Sequence, residues 1–208
     1  MSRAGVEPVR TAILARAPVP GQAKSRLIPA LGEAGAARLQ ARLLERAVST
    51  AAAAGPVTLW ATPDTTHVDF VAAATWPGLE LKQQPDGDLG KRILAAITSP
   101  GGPTSVIGTD CPVLATRHLR VCAEVLRAGH DVVVVPVADG GYALIGTREP
   151  QPALFDDMPW GTETVMAETR RRMAELGLSW REPFVLWDVD VPADLERMRR
   201  EGLGDLLG

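Results

Sequence analysis

The chain has 208 residues, 46% of them hydrophobic and 23% charged, a globular composition that excludes disorder and fibrous repeats and predicts a single domain over 1–208 with a core that needs no staples. A formal charge of -3 excludes a polyanion binder driven by net charge, so no nucleic-acid partner is expected, though a local basic site is still allowed. Two cysteines, Cys111 and Cys122, form no disulfide framework and suggest a reducing compartment, and no apolar run is long enough for a signal peptide or membrane span, so the expectation is a soluble cytoplasmic protein with no membrane partner.

In chain order, 11–15 reads as a buried strand followed by a polar loop to Leu31. Leu39, Leu43 and Ala47 recur at four-residue spacing, which predicts a helix over 33–54 with Gly55 as its C-terminal cap. A strand over 57–61, a helix over 66–74 and an edge-like strand over 80–83 follow. Next come a helix over 90–97, a strand over 104–108 and a helix over 116–128. The β-branched run over 131–136 reads as a buried strand. Asp139-Gly140-Gly141 reads as a hairpin-type turn into a strand over 142–146. A helix over 162–176, a strand over 183–187 and a helix over 193–201 complete the chain. Strands alternating with helices at this spacing predict βαβ units and a mostly parallel sheet, with one antiparallel partner at the hairpin. Ligands of such sheets bind beyond the carboxyl ends of the strands, so the residues there are the functional candidates.

The first such loop carries three cations, Arg16, Lys24 and Arg26. Pro18 and Pro20 stiffen it, and Gly21 lets backbone approach a ligand. Lys24 and Arg26 are placed to meet one polyanion, Arg as a fork and Lys as a point charge; a solvated loop with surface cations is the competing account. No Walker A or G-x-G-x-x-G pattern is present, which removes support for a P-loop ATPase or a nicotinamide dehydrogenase. Asp110, after the 104–108 strand, is positioned to bind a hard cation together with substrate phosphates, or else to cap the next helix. Cys111 beside it reads as a small buried hydrophobe. Asp139 either orients an acceptor hydroxyl, acts as base or joins the metal shell, or else belongs to an Asp-Gly turn. Asp188 and Asp190 share one face of an extended segment, where a second carboxylate can complete a metal site with Asp110; Asp190 can equally cap the helix that Pro192 opens. His67, His118 and His130 receive no role.

Six segments taken together carry a family likeness: Pro18 to Leu27, Gly87-Asp88-Leu89-Gly90-Lys91-Arg92, Gly108-Thr109-Asp110-Cys111-Pro112, Asp139 to Gly146, Trp160-Gly161-Thr162, and Asp188-Val189-Asp190-Val191-Pro192. In these the chain resembles the GT-A, nucleotide-diphospho-sugar transferase superfamily and, within it, the small bacterial glycosyltransferase family DUF2064. The resemblance implies a Rossmann-like three-layer α/β/α sandwich. It also implies that Lys24 and Arg26 hold a donor diphosphate, with Arg16 and Gly21 on the same loop. Gly87, Asp88 and Gly90 would line the nucleotide pocket. Asp139, Gly140, Gly141 and Tyr142 would face the acceptor, with Trp160 and Thr162 as further substrate contacts. Asp110 would be both catalytic and, with Asp190, a ligand of Mg²⁺ or Mn²⁺, and Asp139 would be the second catalytic acid. Val191 and Ala193 stand where the family pattern has Thr and Glu, and Asp110 is a single acid rather than an Asp-x-Asp pair.

The activity this implies is metal-assisted transfer of a sugar from a nucleoside-diphosphate sugar to a small acceptor, by a monomer or homodimer. Two alternatives remain open at this point. One is nucleotidyl transfer, guanylyltransferase-like, from a nucleoside triphosphate to a phosphorylated small molecule. The other is nucleotide binding without catalysis.

Overall fold

The computed structural model describes residues 8–99 and 101–208. Seven strands form one sheet: β1 (Arg10–Arg16), β2 (Val57–Thr62), β3 (Leu79–Gln83), β4 (Thr104–Ile107), β5 (Val132–Pro136), β6 (Tyr142–Thr147) and β7 (Trp180–Arg181). Their order is β3-β2-β1-β4-β6-β5-β7. β6 runs antiparallel to both of its neighbours, and the other ladders are parallel. The expected hairpin is present, and its returning strand enters between β4 and β5, so it supplies two antiparallel ladders rather than one. β3 forms one edge of the sheet, as its short, mixed sequence predicts.

The helices are α1 (Ile28–Ala52), α2 (Val68–Ala73), α3 (Leu89–Thr98), α4 (Thr116–Arg127), α5 (Val165–Glu175) and α6 (Pro192–Arg200). Alternation along the strands sorts them into layers. Ile13, Leu59, Ile107, Val133 and Leu144 face one way, onto Leu44 and Val48 of α1, Phe70 of α2 and Leu126 of α4. Their chain neighbours Ala12, Trp60, Val106, Val132 and Ile145 face the other way, onto Ile93 of α3 and Met166 and Met173 of α5. The result is the α/β/α sandwich.

Two expectations are corrected. The polar loop ends earlier than Leu31: α1 begins at Ile28, but Gly32 interrupts its geometry with φ 69° and ψ 165°, so the long straight section starts after it. The expected strand over 183–187 is not a continuous ladder. Pro183 has no N–H to give, and pairing falls on either side of it, at Trp180–Arg181 and at a single bridge between Leu186 and Val137.

A third cluster holds Leu27, Leu39 and Leu43 against Trp187, Val189, Leu195 and Met198. Burial of Trp187 and Val189 turns Asp188 and Asp190 to the opposite face, toward the first loop. The order in which successive strands are added reverses between β1 and β4, because β2 and β3 lie to one side of β1 and β4, parallel to it, to the other. That crevice is the expected ligand position.

Candidate functional site

A cavity of about 460 Å³ opens at this reversal, and Arg16, Lys24, Arg26, Gln40, Gln84, Arg92, Asp110, Tyr142, Asp188 and Asp190 supply its polar lining. Lys24 is its best-anchored cation. Its backbone is left-handed, at φ 49°, a conformation that side-chain-bearing residues adopt only where the surroundings impose it. The side chain is 5% exposed, and its ammonium donates to the Val189 carbonyl at 2.6 Å and pairs with Asp110 Oδ1 at 2.7 Å. The backbone of the same segment joins in, since Val189 N–H donates to the Asp110 carbonyl at 2.9 Å. Arg26 pairs with Asp190 from a more exposed position. The first loop is therefore tied by one ion pair to Asp110 after β4, and to the C-terminal segment by the Arg26–Asp190 pair and the Lys24 hydrogen bond to Val189.

Asp110 is held from its other side as well. Gln40, 4% exposed in α1, donates to Thr109 Oγ1 at 3.0 Å. The Thr109 hydroxyl is thereby left to donate to Asp110 Oδ1, at 3.2 Å. Lys24 and Thr109 meet the same carboxylate oxygen, so Oδ2 makes no hydrogen bond among the described residues. A helix cap does not explain Asp110, because α4 starts after Ala115, whose N–H is met by His118 Nδ1. Nor does one explain Asp190: α6 starts after Val191, and Asp194 Oδ2 accepts from the N–H groups of Asp190 and Val191 at 2.9 and 2.8 Å.

Asp188 lies half-buried among acids. Burial first, then the Asp139 and Asp110 charges, push its carboxyl from the ordinary 3.8 up to about 6, with Lys24 opposing. The sign of its effect on stability follows. The folded protein holds this proton more tightly than the unfolded chain, so the contribution of Asp188 is most favourable below about pH 4, declines up to about pH 6 and is flat above. Asp188→Asn should therefore melt higher than the parent at pH 7–8 with EDTA present, and the gap should close by pH 4. Parallel melting curves for the two proteins across this range would contradict the placement. Burial likewise pushes the Cys111 thiol up to about 11, which removes it as a nucleophile at neutral pH.

Several residues from the sequence set lie away from the cavity lining. Gly21 (φ 78°) turns the first loop beside Glu33. Asp88 caps α3, its Oδ1 accepting from Lys91 N–H at 2.9 Å, and Gly87 precedes it at φ 123°. A side chain on Gly90 would run into the Phe155 carbonyl at 2.6 Å and into Trp160 at 3.2 Å. These three residues dock α3 rather than reach the cavity. Trp160 packs edge-on to Tyr142, with ring centroids 6.3 Å apart, and so stands behind the cavity wall. The Thr162 hydroxyl donates to the Pro159 carbonyl at 2.8 Å in the turn before α5. Asp139 is exposed and accepts from Gly141 N–H at 3.0 Å, the geometry of an Asp-Gly turn. Gly140 packs on the Glu163 backbone. Of this turn it is Tyr142 that lines the cavity, and its hydroxyl is buried without a partner among the described residues.

Gln40, Gln84 and Arg92 were not singled out by sequence reasoning, although Arg92 ends one of the six motifs. A glutamine next to Leu39 and Leu43 on the buried stripe of a helix is a signal that could have marked Gln40.

Residues 39–162 match the model of a family described as uncharacterized protein conserved in bacteria, DUF2064. No curated protein matches the chain in sequence. Among solved structures, a protein of Desulfovibrio desulfuricans G20, provisionally named a nucleotide-diphospho-sugar transferase, superposes with TM-score 0.82 at 23% identity, over 96% of this chain and 93% of that one. CMP:2-keto-3-deoxy-manno-octonic acid synthetase complexed with CTP gives 0.58 at 15% identity, over 96% and 100%. The inositol-1-phosphate CTP transferase of T. maritima gives 0.57 at 10%, over 96% of each chain. At these identities the likeness shows the nucleotide-diphospho-sugar transferase fold. Among the described residues no helix is long and apolar enough to cross a membrane.

Proposed function

The chain belongs to the DUF2064 family, and from that premise we propose that it is a transferase that binds a nucleoside-diphosphate sugar in the β1/β4 crevice and moves the sugar to a small acceptor. The observation that carries the reading is the meeting of Lys24 with Asp110, and of Arg26 with Asp190, in one cavity at the reversal of strand order. Cations and acids brought together there suit a diphosphate and a bridging hard cation.

In this reading the bond from the anomeric carbon to the diphosphate oxygen breaks, and its electron pair leaves with the diphosphate. The acceptor oxygen bonds to the anomeric carbon and passes its proton to solvent. Lys24 and Arg26, with Arg16 on the same loop, meet the charge that grows on the leaving diphosphate. Asp139, outside the cavity lining but close enough for its charge to act on Asp188, would face the acceptor.

The donor chemistry fits a divalent ion. Asp110 has an uncommitted oxygen, and Asp190 lies across the same cavity. Carboxylate oxygens are the ligands Mg²⁺ and Mn²⁺ prefer. Among the described residues no three acidic, His or Cys side chains form a ready cage. Asp110 and Asp190 would therefore share the ion with substrate phosphates, as is usual for Mg²⁺. When bound, the ion would supply further charge neutralisation on the diphosphate.

The test is incubation of the protein with a panel of nucleotide sugars, small acceptors and Mn²⁺ or Mg²⁺, with nucleotides resolved by chromatography. Release of a nucleoside diphosphate, abolished by EDTA, is the expected result. Release of pyrophosphate from a nucleoside triphosphate and a phosphorylated acceptor would replace sugar transfer by nucleotidyl transfer, the chemistry carried by the names of the two CTP-linked neighbours. If nothing in the panel turned over or bound, the proposal would fall.

A further inference from the structure

At the end of the cavity away from Lys24, an arginine is held by a glutamine whose amide nitrogen and oxygen are both engaged. Gln84, just after β3, donates its amide to the carbonyls of Ala15 at 3.1 Å and Trp60 at 2.8 Å, which fixes it across the ends of β1 and β2. Its side-chain oxygen accepts from Arg92 Nη1 at 3.3 Å. That is the one hydrogen bond of the Arg92 guanidinium among the described residues. Among the described residues Arg92 Nε is buried without a partner, and no carboxylate pairs with this arginine. A half-buried guanidinium with one neutral partner out of five donors is incompletely satisfied by the protein.

The surroundings say what it would take. Leu14, Leu89 and Ile93 line this end, so the group received is largely apolar with an oxygen acceptor at its edge. Gln84 anchors to β1 and β2, whereas Lys24 anchors to Asp110 beyond β4. The two ends are thus about two strand spacings apart, roughly 10 Å. Phosphate already has its cations at the other end.

We propose that Arg92, oriented by Gln84, reads the base of the bound nucleotide through an exocyclic carbonyl oxygen. The site then favours cytosine, uracil or guanine, each of which carries one, over adenine, which does not. This rests on the reading of the cavity as a nucleotide site. Arg92 is the specificity-determining contact, and Gln84 is a positioning residue.

Isothermal titration with CDP, UDP, GDP and ADP, each with Mg²⁺, and with inorganic pyrophosphate separates the possibilities. In the parent, at least one of the first three should bind about 10-fold or more tighter than ADP. Arg92→Met should bring that ratio to about 3-fold or less while pyrophosphate affinity is kept. Arg92→Lys, which keeps the charge and loses the fork, should fall between. Gln84→Leu should lower the ratio with Arg92 intact. ADP binding as tightly as the others, a ratio unchanged in the Arg92 variants, or binding of pyrophosphate but of no nucleoside diphosphate overturns the assignment and leaves the phosphate-binding reading standing. Binding of none of the five ligands removes the proposed function itself.

Discussion

Lys24→Met should reduce the affinity for pyrophosphate in the presence of Mg²⁺ by about 10- to 100-fold, the range expected for a lost charge-assisted contact of roughly 1.5–3 kcal/mol. Lys24 is the cation for which a large effect is expected because its position is fixed in three ways. Its left-handed backbone sets the direction of the side chain, burial to 5% exposure removes competing water, and two oxygens from distant segments hold the ammonium. The loss of stability should be small by comparison. Asp110 is half-exposed and can be rehydrated, so the cost is chiefly the Val189 carbonyl left without its donor, about 1 kcal/mol. Arg26→Met offers the contrast. Its side chain is 68% exposed, and salt and water already screen it, so a smaller loss is expected. Titration calorimetry on both variants, with thermal melts as the folding check, measures the difference. Pyrophosphate affinity unchanged in Lys24→Met would remove the phosphate-binding role from the first loop.

The sequence made the layers legible because burial follows a two-residue period. The β-branched run from Val132 to Val135 sends alternate side chains into the two cores, and no other local structure suits that pattern. The phosphate end of the candidate site was legible for a similar reason: the loop cations and Asp110 follow strands directly, and strand ends locate the crevice. What the sequence could not give was pairing across distance. Lys24 meets Asp110 and the Val189 carbonyl because Trp187 and Val189 bury themselves against Leu27 and Leu39, a contact between residues far apart in the chain. The same docking puts Asp188 among the other acids, a position that a face-sharing argument gives equally to Asp190. Gln84 and Arg92 sit on neighbouring elements, but their significance lies in which hydrogen bonds are filled and which are not. Spacing carries no record of that.

The double glycine shows the same limit, and Gly140→Ala turns it into the largest stability change expected in this protein. Read locally, Asp139-Gly140-Gly141 is a turn, or a place where a ligand approaches backbone. In the structure what approaches Gly140 is the chain itself. Its φ is 93°, and a Cβ there would lie 2.0 Å from the Glu163 carbonyl oxygen and 2.6 Å from its carbon. These are backbone atoms at the entrance to α5, fixed in turn by the hydrogen bond from Met166 N–H to the Gly140 carbonyl at 2.8 Å. No rotamer change can relieve the clash, so the turn and the helix must separate. Left-handed strain of about 1–2 kcal/mol and overpacking of about 1–3 kcal/mol together suggest a loss of about 3 kcal/mol or more. For a chain of this length that is a fall in Tm of about 6–12 °C. Gly141→Ala is the internal control. Its backbone is not left-handed, and its nearest neighbours, Asp139 Oδ1 at 3.4 Å and Val137 at 3.6 Å, are side-chain atoms at ordinary contact distance, so a change within about 0.5 kcal/mol is expected. Thermal melts of the two variants decide the point. A Gly140→Ala protein that melted with the parent but lost nucleotide binding would return this glycine to the ligand, and would mean that the turn does not rest on α5.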